Sequence, residues 1–267
     1  MKQGHGLLFE TTGNLLPPSI EIDYSKPLKI ADIGTGTGDW LSQVEQILPP
    51  GSKLCGFDIT NTQFQKVPEG STVSFQIQNM LLPFPDAELA QYDVVHARLL
   101  MYAFKSAEWV KVTSNLSTLL KPGGYLFWED TNYDLWSCVP ATIAWTRFII
   151  IDQRASLAAG RDLLFISKLG RYFSEAGLRD IVESIHSTFD LEEQKRKKCS
   201  ELMLRLHEQS SKGAVERGGV EGLRTIQDAE SLVEAVKKET ENGAEIGVCL
   251  RRVIGRKPRS AEKARIN

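Results

Sequence analysis

An open α/β sheet is the fold class the sequence predicts, and three observations predict it. Short apolar runs alternate with stretches of helical periodicity through the first half of the 267-residue chain, the pattern of βαβ units around parallel strands. A glycine-rich turn, Gly34-Thr35-Gly36-Thr37-Gly38, separates the first apolar run from the first helical stretch. Polar residues collect where five of the runs end, and in open α/β sheets the carboxyl ends of the strands receive the ligand.

The elements follow in order. LKIADI (28–33) is the first strand, and Trp40, Leu41, Val44, Ile47 and Leu48 then recur at helical spacing until Pro49-Pro50 stops the helix. KLCGFDI (53–59) is the second strand, VSFQI (73–77) with its strict alternation the third, and YDVVHA (92–97) the fourth. A helix with Trp109, Val112, Leu116 and Leu119 on its inner face leads through KPGG (121–124) into the fifth strand, YLFWED. Residues 131–165 break the alternation and read as a loop and helix carrying Tyr133, Trp136, Trp145 and Phe148. A helix near 166–176, a sixth strand near 180–189, two amphipathic helices and a seventh strand over 247–255 complete the chain.

Composition excludes several classes of function. A formal charge of −2 supplies no basic field for nucleic acid, and the basic stretches 195–198 and 251–265 read as solvated helix face and terminus. The strongest apolar run, near 141–151, is well short of the roughly 20 residues that span a bilayer. The N-terminal residues lack the pattern of a secretory signal, and Cys55, Cys138, Cys199 and Cys249 stand apart without a CxxC pair. A cytoplasmic chain with buried thiols and no bound metal is expected.

The glycine turn discriminates among ligands. A dinucleotide fingerprint needs glycine at its sixth position, where this chain has Asp39, and a phosphate loop needs a Lys-Ser/Thr pair that is missing. Two carboxylates, Asp32 and Asp39, would repel a diphosphate. The turn therefore suits a ligand that is cationic where a dinucleotide is anionic.

DIGTGTG resembles the first motif of class I S-adenosylmethionine (SAM)-dependent methyltransferases. The series DIGTGTGDWL, GFDIT, PFP, YDVVHARLL and LLKPGGYLFWED is similar to the methyltransferases of fungal secondary metabolism, the UMTA-type or LaeA-like group. The resemblance runs from about residue 4 to 258 and is strongest up to 130. It implies a Rossmann-like, seven-stranded sheet with helical insertions after strands five and six, as one domain over 1–267. Within it lie an N-terminal cap segment (1–27), a cofactor-binding half (28–130), a substrate-side insert (131–179), C-terminal strands and helices (180–258) and a basic tail (259–267).

On this frame Gly34, Gly36 and Gly38 let the backbone approach the methionine part of the cofactor, and Asp32 holds its ammonium. Asp58, 20 residues beyond Gly38, is placed to accept the ribose hydroxyls, with Ile59 packing on the adenine. Asn79 stands where relatives usually carry an acid, and its amide oxygen can accept the same adenine hydrogen bond; Met80 flanks the ring. His96 and Arg98, at the end of strand four, complete the cofactor pocket.

Methyl transfer needs a base only when the nucleophile is protonated. His96 and Glu129 are the candidates, with Asp130 a rival, while His186 and His207 read as structural. His5 is read as surface, with lid closure the alternative. Tyr102, Trp128, Tyr133, Trp136, Trp145 and Phe148 gather after strands four and five as walls for a flat or apolar small-molecule substrate. Partners are therefore a small molecule and SAM, with no nucleic acid or membrane, in a monomer or homodimer. Two other readings share the fold: a cyclase that uses the sulfonium without methyl transfer, and a SAM-binding regulator.

Overall fold

The computed structural model describes residues 10–263, so His5 and the first part of the cap segment lie outside the described residues. Eight strands make the sheet: β1 Lys29–Ile33, β2 Lys53–Asp58, β3 Val73–Ile77, β4 Tyr92–Arg98, β5 Leu120–Asp130, β6 Trp136–Val139, β7 Arg179–Ser187 and β8 Glu245–Arg256. The helices are α1 Asp39–Glu45, α2 Trp109–Leu119, α3 Ile143–Ala158, α4 Phe165–Glu175, α5 Glu193–Glu216, α6 Ile226–Glu241 and the short α7 Ser260–Lys263.

The strand order is β3-β2-β1-β4-β5-β8, parallel from β3 to β5 and antiparallel from β5 to β8. The order reverses at β1, and β1 and β4 diverge to opposite sides of a crevice at their carboxyl ends, the position where such sheets bind ligand. β7 pairs antiparallel with β8, and so does β6 through Glu245–Val248 of β8.

β6 is the departure from the seven strands expected. The broken alternation places Trp136–Val139 in a loop, but it forms a strand because β8 begins six residues before β5 is reached, leaving Glu245–Val248 to be paired. α1 also ends at Glu45, ahead of Pro49, so Ile47 is about half exposed instead of facing inward. β5 takes in the KPGG stretch (121–124) expected as a turn, and α7 forms in the expected tail, while the remaining helices and strands lie within a few residues of their expected positions.

Alternation along each strand divides the core in two. Ile30, Val94, Phe127 and Ile254 face Trp40, Leu41 and Val44 of α1 together with Leu16 and Ile20. Ala31, Ile33, Val95, Ala97, Leu126 and Trp128 face the opposite layer, with Trp109 of α2 and Phe165 of α4. This parity decides where every polar strand end points.

Candidate functional site

Asp32 is in register with His96, and His96 with Phe127. Glu129, two residues beyond Phe127, therefore shares the α1 face, and its register partner on β8 is Arg252. The result is a buried chain of charge. Asp32 accepts from the Thr35 hydroxyl at 2.7 Å, and its other oxygen lies 2.8 Å from His96 Nδ1. The His96 imidazole stacks on Trp40 at 3.8 Å between ring centroids, and its Nε2 is 3.8 Å from Glu129 Oε2. Arg252 donates to Glu129 Oε1 from Nε (3.0 Å) and Nη2 (2.7 Å), and its Nη2 also approaches the Thr12 and Asn14 carbonyls.

Burial alone would push Glu129 up, but the adjacent His96 and Arg252 outweigh it and hold the carboxyl at about 2. A carboxylate held so low has little proton affinity to offer as a base near neutrality. Its geometry is that of a strut joining β5, β8 and the N-terminal segment. His96 is only 1% exposed, so the imidazole braces Asp32 from beneath and presents no nitrogen to a ligand. Arg98, half-buried at the end of β4, faces the charges of Glu129, Asp32 and Asp39, with burial drawing its proton affinity down.

Above this chain, the turn takes left-handed backbone at Gly34, Gly36 and Gly38, with φ of +67°, +55° and +79°. On their Cβ sides the three differ. Leu100 covers Gly34, where a Cβ would lie 2.7 Å from its Cδ2, and the Phe75 ring fills the corresponding space at Gly38. Gly36 is the open one, meeting only Gln63 Oε1 at 3.4 Å, and its N–H donates to Asp58 Oδ2 at 2.9 Å. Asp58 thus ties the end of β2 to the turn through one carboxylate oxygen. Asp39 occupies the first turn of α1 and accepts from the Thr37 hydroxyl, so the helix N-terminus already holds an anion of the chain's own.

Ile59, next to Asp58, is 65% exposed, an apolar surface beyond the carboxyl end of β2. Asn79 Oδ1 accepts from the Leu81 N–H at 2.9 Å, so the amide caps its own turn. Met80 is buried in the main core and only its backbone carbonyl reaches out, to Asn115.

On the opposite face, Asp130 accepts from the Leu100 N–H, the Thr131 N–H and the Trp128 indole. Full burial outweighs these donors and lifts its carboxyl to about 7. It pins the loop after β4, where Leu99 takes φ of +54°, and thereby seats Leu100 over Gly34. Trp128 departs from the substrate wall expected of it. It is fully buried against Trp109 and Phe165, because a strand residue adjacent to Glu129 must point to the other face.

The five other aromatic residues do come together, but Tyr133, Trp136, Trp145 and Phe148 are buried in the core as Trp128 is, and only Tyr102 stays partly exposed. Tyr102, Tyr133 and Trp136 lie in mutual contact, and Trp136, Trp145 and Phe148 surround the His207 imidazole at centroid distances of 4.9, 5.4 and 4.6 Å. His207 is buried without a charge partner and is held down at about 3, so it is neutral. At the centre of the group is a residue that sequence reasoning missed, Asp152 of α3. It accepts from Tyr102 at 3.0 Å, from Tyr133, and from Ser210 of α5 at 3.1 Å, while Tyr133 also meets Ser156 at 2.7 Å. Phe148, Asp152 and Ser156 recur every four residues, so a lone acid on the inner face of an apolar helix was the available signal. Burial raises the Asp152 carboxyl. Among the described residues no cluster of His, Cys, Asp and Glu could hold a metal ion, and no helix is long and apolar enough to cross a membrane.

Comparison with known proteins bears on this geometry. The chain is 34% identical over 184 residues to the N-methyltransferase sirN of Leptosphaeria maculans, covering 68% of this chain and 63% of that one. It is 34% identical over 124 residues to the methyltransferase grgD of a Penicillium species, covering 43% of each. The chain thus spans less than two thirds of the length of these curated relatives. The fold matches that of Haemonchus contortus phosphoethanolamine N-methyltransferase 2, solved with phosphomonomethylethanolamine and S-adenosylhomocysteine, with a TM-score of 0.53 at 15% identity over 97% of this chain and 53% of that one. A family model described as a methyltransferase domain matches residues 14–185, from the segment held by Arg252 through most of β7, and the chain belongs to that methyltransferase family.

Proposed function

We propose that this chain is a SAM-dependent methyltransferase that methylates an amine nitrogen of a small-molecule intermediate in fungal secondary metabolism. The observation that carries the reading is the charge at the glycine turn. The α1 N-terminus is occupied by Asp39, Asp32 lies buried beneath, and Asp58 closes the turn, so the crevice favours a cationic nucleoside over a diphosphate. The residues fit SAM: Gly36 offers open backbone, Asp58 a carboxylate for the ribose hydroxyls, and Ile59 an exposed apolar face for the adenine. The names of the sirN relative and of the Haemonchus enzyme support a nitrogen acceptor.

When bound, SAM supplies a methyl group on a sulfonium that is already a strong leaving group. The chain's own residues position and seal. Thr35 and His96 fix Asp32, Asp130 fixes the loop that covers Gly34, and the half-buried Tyr102, backed by Tyr133 and Trp136, offers the acceptor an aromatic surface beyond the ends of β4 and β5. Its four cysteines are unpaired, in keeping with the reducing cytoplasm to which we assign the chain. The test is incubation of purified protein with methyl-labelled SAM and a panel of primary and secondary amines, followed by mass spectrometry. Labelled N-methyl product is expected. A product isomeric with its substrate and SAM left unconsumed would replace methyl transfer with cyclase chemistry.

A further inference from the structure

An amine acceptor must lose a proton, and the candidate bases at the strand ends are poorly placed to take it. His96 is sealed beneath Asp32, Glu129 is locked to Arg252, and Asp130 is wholly buried with three donors already on it. We propose that Tyr102 and Asp152 form the proton exit of the acceptor site: Tyr102 receives the proton from the acceptor nitrogen while passing its own to Asp152. This inference rests on the methyltransferase reading above.

Placement supports it. Tyr102 is two residues from Leu100, the side chain that covers Gly34, so its loop borders the cofactor turn. Tyr102 is half-buried as a residue, whereas Asp152 is 2% exposed, so Tyr102 is the more accessible member of the pair, with its hydroxyl turned inward to Asp152 and Tyr133. The Tyr102 hydroxyl donates to Asp152 Oδ2 at 3.0 Å and keeps lone pairs for a second group; at present Tyr133 lies 3.1 Å away. The groups that face Asp152 come from three elements besides its own helix. Tyr102 comes from the loop after β4, Tyr133 from that after β5, and Ser210 from α5, while Arg161 at the end of α3 sits over the Tyr102 ring at 4.9 Å. None of the hydroxyls is an acid near neutrality, and Arg161 makes no ion pair with Asp152 within 4.0 Å. Asp152 is thus a carboxylate hydrogen-bonded by neutral donors, and burial raises its proton affinity against those bonds and the Arg161 charge.

The step balances. The acceptor N–H bond breaks as an H–Oη bond forms on Tyr102, and the original Oη–H bond breaks as an H–Oδ2 bond forms on Asp152. The nitrogen keeps its electron pair and ends neutral, Tyr102 is unchanged, and Asp152 ends as the carboxylic acid. No phenolate is formed, which matters because burial and the Asp152 charge push the Tyr102 phenol well above its ordinary range.

Two measurements test this on the full chain. In carbon-13 spectra of aspartate-labelled protein without cofactor, one carboxyl absent from Asp152→Asn should titrate above the ordinary aspartate range, and Tyr102→Phe should move that titration further up by removing a donor to the carboxylate. An Asp152 resonance unaffected by Tyr102→Phe overturns the coupling. In the amine assay, Asp152→Asn and Tyr102→Phe should each lower kcat by roughly 10² while S-adenosylhomocysteine binding, read by calorimetry, is kept. The rise of wild-type rate with pH through the Asp152 ionisation should vanish in Asp152→Asn. Variants within twofold of wild type, or a reduced rate with the pH profile intact, overturn the relay. Failure of wild type to methylate any amine instead overturns the methyl-transfer reading on which the relay rests.

Discussion

Replacing Arg252 with methionine is the most informative single perturbation of the site. Arg252 and Glu129 are 4% and 3% exposed, so the substitution leaves a carboxylate in the core with His96 and Arg98 as its remaining neighbours. The magnitude follows from the carboxyl itself. A drop from 4.5 to about 2 corresponds to roughly 3 kcal/mol of preference for the ionised form in the folded chain. Removal of one partner from a buried pair costs about 3–5 kcal/mol in general. The first figure is the net of burial, His96 and Arg252 together, so the second sets the expectation: urea unfolding at neutral pH should show Arg252→Met destabilised by about 3 kcal/mol. The double variant Arg252→Met with Glu129→Leu should recover most of that loss, because two apolar side chains replace two desolvated charges. The sign with pH is fixed by the direction of the shift. Glu129 is depressed on folding, so its contribution is complete above about 4.5 and is lost as pH falls through about 2. Arg252→Met should flatten the acid limb of stability over that interval. A loss below about 1 kcal/mol, or a double variant no more stable than the single, would refute the view of Glu129 as a strut and return it to the list of bases.

Other outcomes follow from the same geometry. Asp58→Ala should weaken S-adenosylhomocysteine binding by about 3 kcal/mol, roughly a hundredfold, since hydrogen bonds to a charged acceptor are lost, and calorimetry reads this directly. Gly36→Val should also weaken binding, because a β-branched residue at φ of +55° strains the turn and fills its open side; unchanged affinity would count against Gly36 as the point of approach. His207 is depressed to about 3, so it contributes stability above about 6.5 that is lost as pH falls towards 3. His207→Leu should remove that loss, worth at most roughly 5 kcal/mol, and equal acid sensitivity of variant and wild type in thermal melts would refute it.

Much of this site could be read from residue order, and the rest required tertiary pairing. The polar strand ends at Asp32, Asp58, His96 and Glu129 mark the carboxyl edge of the sheet because strand direction and βαβ order are local signals. Strict alternation also carries more than a list of polar ends: it separates Glu129 from both Trp128 and Asp130, and so assigns Trp128 to the core. The Glu129–Arg252 pair joins positions 123 residues apart in sequence through an antiparallel strand, and no periodicity announces it. Asp152 is a milder case. Its helical spacing from Phe148 was visible, but its partners arrive from two loops and from α5, so only the packed structure reveals three hydroxyls on one carboxylate. β6 became a strand for a similar reason, since Trp136–Val139 is short and takes its conformation from the unpaired beginning of β8.

The claim beneath all of this is that the glycine turn, closed by Asp58 and flanked by Asp32 and Asp39, selects a cationic nucleoside. Isothermal titration of the full chain with S-adenosylhomocysteine, SAM, NAD and ATP measures that choice directly. One S-adenosylhomocysteine or SAM per chain, with no detectable NAD or ATP, is the predicted result. Binding of NAD or ATP with neither of the other two would contradict the account at its root.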